Sequence, residues 1–100
     1  MTIELSASQV NVPIQSLAPE PYEVIRPFIA VVRQQDDEYV ATFFDANLSA
    51  TGETEAESIV NLKDIVVATY ELLIAHDRET LAPGEGRTMD VLQVFIRPAE

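Results

Sequence analysis

The chain has 100 residues, 47% of them hydrophobic, and its 17 acidic and six basic side chains give a formal net charge of −11. This length allows one domain with a modest core, and the hydrophobic content argues against wholesale disorder. Cysteine is absent, which excludes disulfides, thiolate metal sites and a cysteine nucleophile. The negative charge disfavours direct nucleic-acid binding, because phosphates attract basic surfaces; it fits either simple solubility or a basic protein partner.

The sequence shows no signal for membrane insertion or export. No apolar run approaches the roughly 20 residues of a membrane span. The first ten residues lack the basic and apolar regions of a signal peptide. We therefore expect a soluble, cytoplasmic protein with no membrane partner.

The N-terminal part, residues 1–22, contains three prolines and no long periodic segment. Each proline removes an amide donor and biases the preceding residue toward extended geometry. We interpret this part as an extended arm, with an edge strand at Ile3–Leu5 or at Val10–Ile14. Residues 23–100 form the predicted folded domain.

The next segments predict a small antiparallel sheet. Residues 24–33 are rich in β-branched and aromatic types, and so is the segment Tyr39–Phe44. The polar connection between them, residues 34–38, is short, so the two strands are expected to pair as a hairpin. A third, shorter strand is predicted at 47–51, and Gly52 ends it.

The strand at Tyr39–Phe44 has two apolar faces. Side chains of a strand alternate between the faces of the sheet. One face can pack against a helix of the same chain, and the other needs a different partner. The predicted inner face consists of Tyr39, Ala41 and Phe43, and the predicted outer, interface-forming face consists of Val40, Thr42 and Phe44.

A long amphipathic helix is predicted from Glu55 to Ala75 or His76. Thr54 is a good N-cap, and Glu57, three residues later, completes a capping box. Apolar residues at spacings of three and four form the stripe that packs on the sheet. Further apolar residues predict an intersubunit surface on the helix, at Val60, Val67 and Ile74.

The C-terminal part is less regular. Residues 76–87 contain a proline and two glycines and are predicted to be a loop. Residues 88–96 fit both a helix and a strand, and we favour a short helix. The predicted fold class is therefore α+β: a small antiparallel sheet of three or more strands, packed by one long amphipathic helix plus a short C-terminal element.

No residue pattern predicts catalysis, a cofactor or a metal site. The only imidazole, His76, falls in the last turn of the predicted helix, where a capping or surface role is expected. The carboxylates at 36–38 and Asp45 could pair as acid and base or hold a divalent ion, but hairpin tips and turns favour solvated carboxylates. Aromatic residues of the strand Tyr39–Phe44 have acidic neighbours rather than the basic ones of an RNA-stacking surface. We predict that the protein is not an enzyme.

Residues 38–64 carry a pattern that resembles the HicB-like antitoxin family. Three elements of that pattern are present: Tyr39–Ala41 after an acidic turn, Gly52–Thr54 after a short strand, and Asn61–Lys63 in a helix. Together with the flanking strand and the C-terminal part, the resemblance extends over roughly residues 24–96.

The resemblance implies a partial ribonuclease-H-like arrangement and an oligomeric, non-catalytic protein that binds and neutralises a small basic RNA-cleaving toxin. Two features depart from the family pattern. The stretch Ala46–Leu48 replaces a Pro-Gly-Cys sequence, and the part after the predicted helix has only three basic residues, Arg78, Arg87 and Arg97. A DNA-binding module is therefore not expected, and no residue can be carried over as a toxin contact.

Two alternatives remain open from the sequence. One is an acidic, homo-oligomeric scaffold of the same fold with no toxin partner. The other is a degenerate hydrolase that uses Asp36, Asp37 or Asp45 with a divalent ion.

Overall fold

The computed structural model describes residues 9–18, 20–76 and 78–98, so the alternative edge strand at Ile3–Leu5 lies outside the described residues. The fold is α+β, with two helices and two antiparallel sheets in the described part of the chain. None of the described helices is long and apolar enough to cross a membrane. The strands are β1 (Gln9–Ile14), β2 (Tyr22–Val24), β3 (Phe28–Gln35), β4 (Glu38–Phe43), β5 (Leu48–Gly52) and β6 (Ile96–Pro98), and the helices are α1 (Glu55–Ile74) and α2 (Pro83–Phe95).

The main sheet has four strands in the order β1-β3-β4-β5. The predicted hairpin is β3–β4, in which Gln35 pairs with Glu38 across a two-residue turn. Asp36 in that turn has a φ of 57°, a left-handed conformation that Asp tolerates better than most residues. The short third strand is β5, which pairs with β4 from Leu48 to Gly52.

The strand predicted at 24–33 is divided in two by a bend before Pro27. The backbone N–H groups of Ile25 and Arg26 both donate to the Phe95 carbonyl, at 2.8 and 3.3 Å, so the chain leaves the main sheet there. Pro27 has no amide donor, which makes it unsuited to the interior of a sheet. Residues before the bend form β2, which pairs with β6 from the far end of the chain.

The edge strand predicted at Val10–Ile14 is confirmed as β1, so this part of the N-terminal segment belongs to the main sheet. β1 pairs with β3 along its whole length, from Gln9 opposite Arg33 to Ile14 opposite Phe28. Pro13 is tolerated because β1 is an edge strand. Leu17, just after β1, is 2% exposed and belongs to the core.

The core lies between the main sheet and α1, with three aromatic rings at one end. The Phe28 and Phe43 rings stack with their centroids 4.3 Å apart, and Phe95 packs edge-on against both, at 6.0 and 5.3 Å. Edge-to-face and stacked pairs at these distances add to the stabilisation from burial alone. Other buried members of the core are Ala30, Val32, Ala41, Ala50, Leu62, Val66, Tyr70 and Leu92.

The start of α1 is held by side chains of its own first turn. Thr54 is the N-cap, and its Oγ1 accepts a hydrogen bond from the Glu57 backbone N–H at 3.0 Å. The Glu57 carboxylate accepts from the backbone N–H of Glu53, one residue earlier than the capping-box pattern requires. Both contacts satisfy amide groups that have no partner within the helix.

Replacing Thr54 by alanine is expected to lower the free energy of unfolding by about 1 kcal/mol, since it removes the acceptor for the Glu57 amide. Urea denaturation followed by circular dichroism measures this change. Thr54→Ser retains the hydroxyl and serves as the matched control, with a much smaller expected effect. Equal stability of the alanine variant and the wild type would show that the cap contributes nothing measurable.

The C-terminal part contains a longer helix than predicted. α2 begins at Pro83, so the loop predicted at 76–87 is too long, and the expectation of one long helix plus a short C-terminal element is replaced by two helices. Proline suits the first helical position because its missing N–H would be unpaired there anyway. The Glu85 carboxylate accepts from the Ala82 N–H at 2.9 Å. Helix rather than strand is thus confirmed for most of residues 88–96, up to Phe95.

The small β2–β6 sheet is fastened to α1 by Tyr22. The Tyr22 ring packs edge-on against Tyr70, with centroids 5.4 Å apart, and its hydroxyl donates to the Glu71 carboxylate at 2.8 Å. This hydrogen bond, more than any other cause, raises the pKa of Tyr22 above its ordinary value. Ionisation of this phenol therefore requires a higher pH than that of an unpaired tyrosine.

Candidate interaction surface

The main sheet has an outer face that the described helices do not cover. α1 packs on the inner face, and α2 packs on α1 and on the short turn at 44–46. Directly paired residues of antiparallel strands share a face, so Val31 with Thr42, and Arg33 with Val40, lie together on the outer side. Ile29 extends this row and is 45% exposed. We call Ile29, Val31, Val40 and Thr42 the outer patch.

The residues predicted for the outer face of β4 occupy two different locations in the structure. Val40 and Thr42 are half-buried within the outer patch. Phe44 lies beyond the end of β4, in the turn at 44–46, and is 61% exposed. It lines a pocket together with Ile29 and Val31. The structure therefore adds two β3 residues to this surface, which the hairpin register could have identified.

The residues predicted for the outer face of α1 do not form a continuous stripe. Val60 and Ile74 are exposed, but Val67 is 6% exposed and belongs to the core. Against the expectation from the sequence, Val67 is therefore not available to a partner. On the same helix, Tyr70 and Glu71, three and four residues later, contact Tyr22 of β2.

The outer patch ends at a strongly acidic end of the molecule. Asp36, Asp37 and Glu38 form the β3–β4 tip and share a shallow depression with Val40 and Thr51. Tyr39 pairs with Gly52, so the start of α1 lies at the same end. We call this region the acidic end; its carboxylates are Asp36, Asp37, Glu38, Glu53, Glu55 and Glu57.

The carboxylates considered for hydrolysis are not brought together. Asp36 and Asp37 precede β4 and Asp45 follows it, so they are separated by roughly 20 Å of extended strand. Within the described ranges, no group of three or more His, Asp or Glu side chains has an arrangement that could hold a metal ion. The Nδ1 atom of His76 lies 2.8 Å from the Leu72 carbonyl oxygen, at the C-terminal end of α1.

Comparison with known proteins adds no identification. A scan against protein-family models, a search of the curated proteins and a search of the solved structures each gave no match.

Proposed function

We propose that this chain is a non-catalytic, cytoplasmic protein-interaction module of the HicB-like antitoxin type, which binds and neutralises a small basic RNA-cleaving protein. The observation that carries the proposal is the uncovered outer patch joined to the acidic end. An apolar sheet surface supplies the area that a protein interface must bury. Carboxylates beside it favour a basic partner and speed its association.

The charge distribution supports a protein partner rather than nucleic acid. The net charge is −11, and the only basic residue of β3 and β4 is Arg33. Phosphate groups would be repelled from the acidic end, whereas a toxin that binds RNA needs a basic surface. Masking that basic surface with carboxylates is a direct physical means of neutralising it.

The residues that resemble the family also have a joint role in placing α1 on the sheet. Gly52 lies in close contact with the backbone of Glu57 and Ser58, since a Cβ atom there would be 2.5 Å from the Ser58 nitrogen. The Asn61 side-chain amide donates to the Thr51 carbonyl at 2.8 Å. Leu62 is fully buried. In this proposal, β3, β4, β5 and α1 constitute the HicB-like unit, with the partial ribonuclease-H-like arrangement of that family.

The test is capture of the tagged chain from its native lysate, followed by an RNA-cleavage assay on the proteins that it retains. The expected result is a small, strongly basic protein at a level comparable to that of the bait. This protein alone should cleave RNA, and addition of the chain at equal molar concentration should suppress cleavage. Recovery of a partner that leaves RNA intact, or of the bait alone, would contradict the proposal.

A homo-oligomeric scaffold without a toxin is the second candidate, because an uncovered apolar sheet face also suits a second copy of the chain. In this scaffold candidate the outer patch is the contact between copies, because the burial of Val67 weakens α1 for that role, and a second copy rather than a basic protein would cover the patch. Light scattering at micromolar concentration shows whether the free chain is a monomer or an oligomer. We predict a dimer or larger assembly; a monomer would remove the scaffold candidate and the expectation of an oligomeric antitoxin.

A further inference from the structure

A pocket of about 280 Å³ opens at the end of the sheet opposite to the acidic end. It lies where β3 begins and β4 ends, and the end of α2 forms one wall. Most of its lining is aromatic or aliphatic. Its lining includes Ile29, Phe43, Phe44, Asp45 and Phe95.

The pocket combines aromatic surface with a single charge. Phe44 is 61% exposed, so a face or edge of its ring is open to a ligand. Asp45 is the only charged residue of the lining. Among the described residues, Asp45 has no hydrogen-bonding or ion-pairing partner. A cation bound in the pocket would thus lie among aromatic residues and beside a carboxylate.

We propose that this pocket binds an arginine side chain of the partner protein. The inference rests on the proposed function, which calls for a basic partner. A guanidinium group is flat and weakly hydrated, so it stacks on aromatic rings and pairs with a carboxylate better than the compact, strongly hydrated ammonium group of lysine. An uncharged apolar side chain would leave the Asp45 carboxylate beside it without compensation.

No arginine is among the described residues that line the pocket. Arg26 is the nearest in sequence, but its backbone N–H is bonded to the Phe95 carbonyl and its side chain is not part of the pocket lining. Arg97 pairs with Glu23 at 3.0 Å, on the small sheet. The carboxylate of the pocket is therefore available to a cation from outside.

The position of the pocket determines how a partner segment would lie. The outer patch extends along β3 and β4, between the pocket with Asp45 and the acidic tip with Asp36 and Asp37. The two charged ends are roughly 20 Å apart, the length of about six extended residues. A partner surface with an arginine at one end, apolar groups in the middle and further basic residues at the other end complements this arrangement.

A small probe tests the pocket without the partner. N-acetyl-arginine methylamide is titrated into the ¹⁵N-labelled chain, and its amide shifts are followed, with the corresponding norleucine amide as the uncharged probe. We expect saturable shifts centred on Ile29, Phe44 and Asp45 with the arginine probe only. Asp45→Asn and Phe44→Ala should each weaken binding by about fivefold. Asp64→Asn, the same change at an exposed position of α1, should leave the affinity unchanged.

Circular dichroism of each variant verifies folding, and we expect no change because all three altered side chains are exposed. Shifts concentrated at the acidic end, or equal binding to the Asp45→Asn variant, would overturn the pocket assignment. The experiments distinguish failure of the pocket assignment from failure of the proposed function. If the captured basic protein binds the Asp45→Asn variant as tightly as the wild type, the pocket does not bind an arginine of the partner, and the proposed function is unaffected. If the arginine probe binds the pocket but no basic protein is captured, the pocket is still a guanidinium-binding site, and the proposed function is wrong.

Discussion

Replacing Phe43 by alanine is expected to lower the free energy of unfolding by about 3–5 kcal/mol, the largest effect of any single substitution considered for this chain. The Phe43 side chain is 1% exposed, stacks on Phe28 and packs edge-on against Phe95. Alanine would leave a cavity where the strands β3 and β4 meet the end of α2. Since small domains are stable by only 5–15 kcal/mol, this loss would bring the protein close to unfolding at ambient temperature.

The adjacent residue provides the matched control for Phe43→Ala. Phe44→Ala removes the same ring from an exposed position and is expected to change the free energy of unfolding by less than about 1 kcal/mol. Urea denaturation of the two variants, followed by circular dichroism, measures both changes. Similar losses in the two variants would contradict the placement of Phe43 in the core and Phe44 at the surface.

Replacing Gly52 by alanine is expected to destabilise the protein by about 2–3 kcal/mol. A Cβ atom at this position would lie 2.5 Å from the Ser58 nitrogen and 2.8 Å from the Glu57 carbonyl carbon. Both are backbone atoms, so relief requires α1 to move away from β5. That movement would also disturb the hydrogen bond from Asn61 to the Thr51 carbonyl.

Gly86 supplies the control for the glycine substitution. A Cβ atom there has no neighbour within 4 Å, and the residue lies within α2. Gly86→Ala is therefore expected to stabilise the protein by about 0.5–1 kcal/mol, through the higher helix propensity of alanine. Thermal denaturation of both variants should shift the midpoint in opposite directions. A Gly52→Ala variant as stable as the wild type would show that α1 does not contact β5 as closely as described.

Local patterns in the sequence were sufficient for the central part of the fold. The hairpin β3–β4, the short strand β5 and the helix α1 were predicted because their signals are contained within the segments themselves: alternation, turn residues and the cap at Thr54. The same alternation predicted that Val40 and Thr42 would face away from α1. The outer patch is thus readable from the sequence once the hairpin is assumed.

Contacts between distant segments were not predictable in the same way. The pairing of β2 with β6 joins residues more than 70 positions apart, and neither segment has a strong strand signal. The contacts of Tyr22 with Tyr70 and Glu71 of α1 likewise join segments about 50 positions apart. The pocket beside Phe44 likewise needs α2 to end next to β3 and β4.

The start of α2 was predicted incorrectly for a different reason: residues typical of loops lie within a helix. Pro83, Gly84 and Gly86 are usually signs of a loop, and they led to a predicted loop up to residue 87. In the structure, the proline occupies the first position of the helix, and the Glu85 carboxylate accepts from the Ala82 amide. Tertiary packing of Leu92, which is fully buried, and of Phe95 against Phe43 supports a helix whose first turn has low intrinsic propensity.

The most direct test of the central claim is the affinity of the chain for the captured basic protein, compared between Val40→Lys and Leu72→Lys. Both variants place a lysine at an apolar surface position, but Val40 lies in the outer patch and Leu72 is an exposed residue of α1. Isothermal titration calorimetry should show at least about 30-fold weaker binding for Val40→Lys, as expected at the centre of an interface. Leu72→Lys should bind within about twofold of the wild type. Equal affinities of the two variants, with both folded by circular dichroism, would contradict the assignment of the outer patch as the binding surface.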